Sequence, residues 1–579
     1  MATSYFDFHL HPIFKQFITQ FNPTYPPTHP IAELGKSLQF GGPILQLLDQ
    51  EFLHMLESQS CLDQMDRATL SLGVAALCPM EQIFTSRDGL FGKLLNSNAT
   101  RPLSRDLMNA VRHGNVSYYG LLIRELSLYK QLRDAGRIEI LTRKTPIDIG
   151  VARDKTRLVL SLEGGHGLCR TMIGESGQPD KNLLLKPVGF EDAFSNDLLK
   201  QFTPDPAQSL RQLQQALWNE NMDLCYLVLT HLSHINEQLL ATHAYGMKML
   251  KNQASIPVST GISAKGFDVI RAAYTLEVDV NGTKKPAPVI IDVKHLSLKS
   301  RLDLYAFRTG SFKNIPIICS HAGVTGYTIS AWKEALQTAR RVKLDSGDLV
   351  IELKTGRKTA GRWGAINSEF TYNTWTVNLM DEDIEAILES NGLIGVSLDV
   401  RILGWHDTLS TGETNEFMSS GEFRHFFPER FAQLTGEPME SFLVPTRQER
   451  HPLSFCFNLL HIISVGLLRT HVDLPNLWKR ICIGSDYDGL INPLINCRDI
   501  SQLSELESNL LRWLPVAEKA YRDENGGQPL LERDAVGEVD ITNLKAIVRA
   551  VMFSNGQQFI KNWLIQQRLD DQLITVPKI

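Results

Sequence analysis

Near its start the chain reads "FDFHLHPIF", with His9 and His11 two residues apart inside an apolar run. On a strand, residues two apart share a face and sit roughly 7 Å from each other, so both imidazoles point into whatever that face encloses. Such a pair is either two half-buried histidines bonded to backbone or the first half of a metal site, because neutral imidazole is a common ligand for zinc-like ions. Other residues extend the second reading. Glu163, His231, His295, His321 and Asp486 each end an apolar run. A dinuclear centre needs ligands on rigid elements and one group that bridges both ions. On this reading His9 and His11 bind one divalent ion, His295 and His321 bind the other, and Glu163 bridges them. Two close dications acidify a water between them, so hydroxide is available near neutral pH to attack an electrophilic carbon or phosphorus. Asp486 takes its proton and passes it to the leaving group. His231 hydrogen-bonds the polarised carbonyl oxygen.

Each residue also has an ordinary reading. Glu163-Gly164-Gly165 is compatible with a plain turn, and His295 after Lys294 with a strand end reaching solvent. His166 and His234 fit supporting or structural places better than ligand places. "GSDYDG" (484–489) resembles part of a calcium loop but lacks the other acidic ligands of an EF-hand.

The elements that position these residues recur along the chain. Apolar runs end in polar clusters at "YFDFHLH" (5–11), "LSLGVAALCPM" (70–80), "RLVLSLEGGH" (157–166) and "LCYLVLTHLSH" (224–234). They continue with "PVIIDVKH" (288–295), "IPIICSHAG" (315–323), "LIGVSLDV" (393–400) and "RICIGSDYDG" (480–489). Helical patterns lie between many of them. In "DEDIEAILESNG" (381–392) the stripe of Ile384, Ile387 and Leu388, the acidic first turn and Asn391-Gly392 mark a helix and its stop. Strands that are apolar throughout and alternate with helices imply a parallel sheet covered on both faces. A doubly wound sheet would show a Gly-rich phosphate turn after its first strand, and this first strand ends in His-Leu-His-Pro. A (β/α)8 barrel instead carries its chemistry at the C-terminal ends of many strands, as here.

The fold expected is therefore α/β: a (β/α)8 TIM barrel of metal-dependent hydrolase type. Residues 1–579 form one elaborated barrel, with insertions on the catalytic face at about 12–68, 167–220, 324–380 and 401–455. These gaps exceed ordinary βα connections and hold loop signals such as "FNPTYPPTHP" (21–30), "GESGQPDK" (174–181) and "LDSGDL" (344–349). Helices over about 500–579 close the barrel. On the first strand, Asp7 is expected to share the face of His9 and His11, with Phe8 and Leu10 turned to the helix layer.

Composition narrows the function. At 43% apolar and 21% charged the chain is an ordinary globular protein. A net charge of −5, with basic residues scattered, gives no electrostatic case for nucleic acid or an anionic membrane. "FCFNLLHIISVGLL" (455–468) is shorter than the ~20 residues a bilayer span requires and is interrupted by Asn458, His461 and Ser464, so it reads as a buried helix. The start lacks a basic segment followed by an apolar stretch, and the eight cysteines are dispersed without a CxxC. Both features point to buried thiols and a cytoplasmic, reducing compartment.

Taken in order, "SLEGGHGL" (161–168), "LVLTHLS" (227–233), "IIDVKH" (290–295), "IICSHAG" (317–323) and "CIGSDYDG" (482–489) resemble the signature strands of the membrane (renal) dipeptidase family of the amidohydrolase superfamily. "GISAKGFDVIRAA" (261–273) and "MFSNGQQFIKNWL" (552–564) are similar to two of its helices. The resemblance implies a (β/α)8 barrel, two zinc ions bridged at Glu163, and hydrolysis of short peptides. It implies ligand roles for His295 and His321, a substrate contact for His231 and proton transfer by Asp486. The chain departs from the family at two places. The usual opening is His-x-Asp, and here it is His9-Leu10-His11. The family also has an arginine soon after the sixth-strand histidine to hold the substrate carboxylate. Here "HAGVTGYTISAWKEALQTARRVK" begins at His321, leaving Arg340, Arg341, Arg357 and Arg362 as open alternatives.

The function expected is hydrolysis of an amide in a dipeptide-like substrate. The alternative is an amidohydrolase acting on another ester, lactone, cyclic amide or N-acyl substrate. A third reading is a non-catalytic barrel used as a binding scaffold. The partner expected is a small-molecule or short-peptide substrate, with homodimer formation as an open expectation.

Overall fold

The computed structural model describes residues 4–20, 34–38, 57–85, 104–114, 116–144, 155–169, 203, 205–233, 239–246, 253–364, 368–404, 415–432, 434, 450–489 and 491–569. Among these, one parallel sheet closes into a barrel. Its strands are β1 (Tyr5–Leu10), β2 (Leu70–Leu77), β3 (Thr156–Glu163), β4 (Leu224–Val228), β5 (Ile290–Asp292), β6 (Ile318–Ala322), β7 (Leu393–Val396) and β8 (Ile481–Ile483), paired in chain order. Each of the eight apolar runs holds one strand. The ring closes where β8 meets β1: His11 N donates to Tyr487 O and Asp486 N donates to His9 O, both at 2.9 Å. Helices between the strands complete a (β/α)8 barrel.

Every barrel strand is buried along its length, as a sheet covered on both faces requires. One apolar cluster draws on all eight strands, including Phe6, Phe8, Val74, Tyr226 and Cys482. It continues into Ile560, Trp563 and Leu564 of the C-terminal helix Asn555–Leu569. Asn555 Nδ2 donates at 2.7 Å to Trp478 O and to Ile481 O, where β8 starts. At Gly556 an added Cβ would lie 1.9 Å from the Phe6 ring, so only glycine lets this helix approach the start of β1. The helix thus seals the end of the barrel opposite the strand termini that carry the histidines.

The helices around the barrel have legible starts. Ser117, Asp205, Ser263 and Ser297 cap Tyr118–Asp134, Pro206–Asn219, Ala264–Tyr274 and Leu298–Arg308 with side-chain acceptors. The predicted helix at 381–392 spans Asp381–Glu389, and the apolar run 455–468 lies inside Arg450–Arg469. That helix is long and apolar enough to cross a membrane, but 83% of its apolar window is buried within the fold.

Three features differ from the sequence expectation. A short strand, Ile138–Ile140, pairs in parallel with β3 off the barrel path. The 324–380 and 401–455 segments are partly strands: Leu336–Lys343, Leu349–Thr355 and Asn415–Ser419 form an antiparallel sheet, and the loop signal at 344–349 marks a hairpin turn within it. The third difference is in β1. Asp7 pairs with Gly73, but the next pair is Leu10 with Ala75, so β1 carries one extra residue against β2. That bulge breaks the alternation. Phe8 turns into the cluster shared by all strands, edge-on to Tyr226 at 5.6 Å, instead of toward the helices. Asp7 Oδ1 accepts from Ser485 N at 3.0 Å and from His9 N at 3.1 Å.

Candidate metal centre

The strand ends bring the predicted residues together around one carboxylate. Glu163, the last residue of β3, is 2% exposed. Its Oε1 lies 3.3 Å from Nε2 of both His9 and His295 and 3.7 Å from Nε2 of His321. Its Oε2 lies 3.2 Å from His11 Nε2 and 3.7 Å from His231 Nε2. Asp486 completes the group: Oδ1 is 3.5 Å from His11 Nε2 and 4.0 Å from His9 Nε2, and Oδ2 is 3.8 Å from His321 Nε2. The Asp486 side chain is 18% exposed, whereas the imidazoles and Glu163 are 10% or less, so Asp486 is the member a substrate reaches first.

The far nitrogens decide what the near ones can do. Tyr226 donates its hydroxyl to Phe8 O at 3.0 Å, so it accepts from His9 Nδ1–H at 2.8 Å. His11 Nδ1–H donates to Ala76 O at 2.9 Å. With the proton on Nδ1, the neutral ring presents a lone pair at Nε2. Nε2 of His9, His11, His295 and His321, and Oε1 of Glu163, are buried and find no hydrogen-bond partner among the described residues. Burial holds His295 and His321 well below the usual histidine range, so they are neutral acceptors. Burial alone would raise Glu163, but the imidazoles of His9 and His231 pull it well below the usual carboxylate range. Neutral His295 and His321 therefore face the Glu163 carboxylate as acceptors against an acceptor in a water-poor space, an arrangement that a divalent cation resolves. His11 is raised by Asp486 and Glu163, so a metal must displace its proton. Two of the sets whose ligand atoms all lie within 4.8 Å of one another are His9, Glu163 and His321, and His9, His11 and Asp486. His9 belongs to both sets. Its ring is 4.1 Å from that of His321 and 5.0 Å from that of His11, a tighter tie between β1 and β6 than a division into two separate histidine pairs anticipates.

His295 and Asp486 both adopt left-handed backbone, with φ of 64° and 63°. Non-glycine residues hold that conformation at a cost that clusters at functional sites.

Two participants were not singled out in the sequence. One is Tyr226, on β4, whose hydroxyl reaches His9 across the barrel interior. The other is Glu81, beyond the end of β2. Its Oε1 accepts from His231 Nδ1–H at 2.6 Å and from Leu232 N at 3.2 Å, and its Oε2 accepts from Ser233 Oγ. Burial would raise Glu81, but His231 holds it below the usual range; burial would lower His231, but Glu163 and Glu81 raise it. The only signal was a charged residue close behind an apolar run.

The remaining candidates fall elsewhere. His166 Nε2 meets Pro79 O at 2.8 Å, a structural bond. His234 lies outside the described residues. Asp488 of the "GSDYDG" stretch takes Lys15 at 2.9 Å and the backbone of Gln59 and Ser60, which ties the β1 and β8 ends together. Arg340 pairs with Glu352, and Arg341 donates to Phe431 O at 2.8 Å. Arg362 pairs with Glu524 and Glu369. Arg357 is turned to Thr371 Oγ1 and Gly404 O, both at 3.3 Å.

No family model and no curated protein matches this sequence. Solved structures do resemble the fold. The dipeptidase AC, a metallo peptidase of family M19, is 12% identical with a TM-score of 0.42, over 97% of this chain and 98% of that one. A metallo peptidase from Rhodobacter sphaeroides, liganded with a phosphinate mimic of the dipeptide L-Ala-D-Ala, is 12% identical with a TM-score of 0.41, over 98% and 100%. The probable dipeptidase PvdM from Pseudomonas aeruginosa is 12% identical with a TM-score of 0.43, over 98% and 96%.

Proposed function

We propose that this chain is a metal-dependent hydrolase that cleaves an amide bond in a small, dipeptide-like substrate. The observation that carries the reading is the convergence on Glu163 of four imidazole nitrogens without a hydrogen-bond partner among the described residues. His9, His11, Glu163, His295 and His321 would hold two divalent ions of zinc type. Bound there, such ions supply Lewis acidity and lower the pKa of water.

The rest of the chemistry falls to side chains. Asp486 stands at the open edge of the cluster, where its carboxylate receives a proton from the attacking water and returns it to the leaving amine. Burial raises its pKa, which suits a group that must both take and give a proton. His231, gripped at Nδ1 by Glu81, offers Nε2–H to the carbonyl oxygen as negative charge develops there. Glu81 is a positioning residue: it fixes the ring and favours its charged form.

The test is a panel of dipeptides, N-acyl amino acids, esters and lactones, assayed with metal-loaded and chelator-treated protein. Metal-dependent turnover of dipeptides is the expected result. Turnover confined to lactones, esters or N-acyl substrates would move the chain to the alternative that the His-x-His opening favours. No turnover with a full metal complement would leave the scaffold reading.

A further inference from the structure

The end of β2 contributes a residue that the centre described above does not use. The register of β2 with β3 pairs Ala76 with Ser161 and Leu77 with Leu162, so Cys78 stands level with Glu163. Cys78 is 6% exposed, and its backbone N–H is fixed by Glu125 Oε2 at 3.0 Å. Its Sγ, a carboxylate oxygen of Glu163 and a ring nitrogen of His231 all lie within 4.8 Å of one another. Glu163 is 2% exposed and His231 is 8% exposed. Because Glu81 occupies His231 Nδ1, it is Nε2 that faces Glu163, at 3.7 Å. Sulfur, nitrogen and oxygen in one such set match the donor preferences of thiophilic ions, zinc or cadmium, and not those of magnesium, calcium or manganese.

We propose that Cys78, Glu163 and His231 form a soft-cation position beside the hydrolytic centre. The proposal rests on the metal-centre reading above, because it shares Glu163. As Cys78 Sγ and His231 Nε2 bind the cation, the thiol proton and the Nε2 proton leave to the buffer, and no oxidant or reductant takes part. Ligation through Nε2 and donation from Nε2 to a substrate exclude each other. The position is therefore a site of inhibition by excess soft metal.

Cadmium chloride titrated into the full-length chain after chelation tests this, with bound cadmium measured by equilibrium dialysis and the thiolate-to-cadmium charge-transfer band read in the ultraviolet. The expected result is a band that grows with bound cadmium and is lost in Cys78→Ser. The same variant loses at least about tenfold in affinity for one cadmium ion and binds manganese as before. Cadmium bound without a charge-transfer band overturns the proposal using the unaltered protein alone. A band that survives Cys78→Ser also overturns it. Either result leaves the hydrolase reading standing. A chain that binds neither cadmium, zinc nor manganese overturns both.

Discussion

The hydroxyl of Tyr226 sits 2.8 Å from Nδ1 of His9, on the opposite side of the ring from Glu163. Because the same hydroxyl donates to Phe8 O, it is the acceptor for the His9 proton and thereby sets the tautomer that frees Nε2. Tyr226→Phe removes that acceptor without changing the packing of the ring. The expected outcome is a loss of about 10–100-fold in metal affinity, with a stability cost of only about 1 kcal/mol. Competition with a chromophoric chelator and a denaturant melt measure the two.

His11→Ala should lower metal occupancy and turnover together, with both restored only at high added metal. His11→Asp should be the mildest change, because a carboxylate also ligates at that place. An anionic ligand makes water held at the centre less acidic, so the pH–rate profile of His11→Asp should move to higher pH. Full metal and full rate in His11→Ala would make His11 structural.

How much of this was readable in the chain follows from what each residue needs. The barrel strands were legible because a strand buried on both faces leaves an unbroken apolar run, and because each run stops at the polar residue it presents. That these histidines and carboxylates converge was legible for the same reason: each stands at the end of such a run, where it has no other obvious partner. Tyr226 was hidden because it lies inside its run, where a tyrosine reads as core; only the closed barrel brings it to His9. Glu81 was hidden because its partner is 150 residues away. The inward turn of Phe8 was hidden because a bulge depends on the pairing partner and leaves no mark in alternation. The sheet containing Leu336–Lys343 was hidden because polar, exposed strands resemble solvated loops, although "LDSGDL" marked its turn.

Metal binding should depend on pH with a definite sign. Burial alone would depress His11, but Asp486 and Glu163 beside it raise it to about 10 in the metal-free chain. A raised imidazole contributes stability that is fully present below its unfolded value of 6.5 and is lost as pH rises through about 10. A metal ion must displace that proton. Apparent affinity should therefore climb about tenfold per pH unit between pH 7 and 9 for one proton released. The gain in Tm on adding zinc should widen over the same range. Isothermal titration in buffers of different ionisation enthalpy counts the proton directly, and an affinity independent of pH would contradict the assignment.

Asp486→Asn should abolish turnover and leave the fold and most metal binding in place. The amide cannot carry the proton, while His9, His11, Glu163, His295 and His321 remain. Elemental analysis should still find two ions per chain, and near-normal kcat would remove Asp486 from its role.

Glu81→Gln separates positioning from packing at the least expected residue of the site. The substituted amide keeps the volume of the side chain and can still accept one hydrogen bond from Leu232 N or Ser233 Oγ, so the fold should survive with a loss of about 1–3 kcal/mol. What it cannot do is hold a negative charge 2.6 Å from His231 Nδ1. In the native chain that charge, with Glu163, raises the His231 pKa against the opposing effect of burial. The imidazolium is the form that presents Nε2–H to a developing oxyanion, so activity requires the proton and is lost at high pH as it leaves. Removing the Glu81 charge lowers the His231 pKa, and the alkaline limb of the kcat profile should move to lower pH. At neutral pH, loss of one oriented donor should cost about 100-fold or more in kcat. Metal content of the hydrolytic centre should not change, because Glu81 touches none of the residues proposed to hold metal there. A purely structural Glu81 would give the opposite signature: a lower Tm with kcat and the alkaline limb where they were.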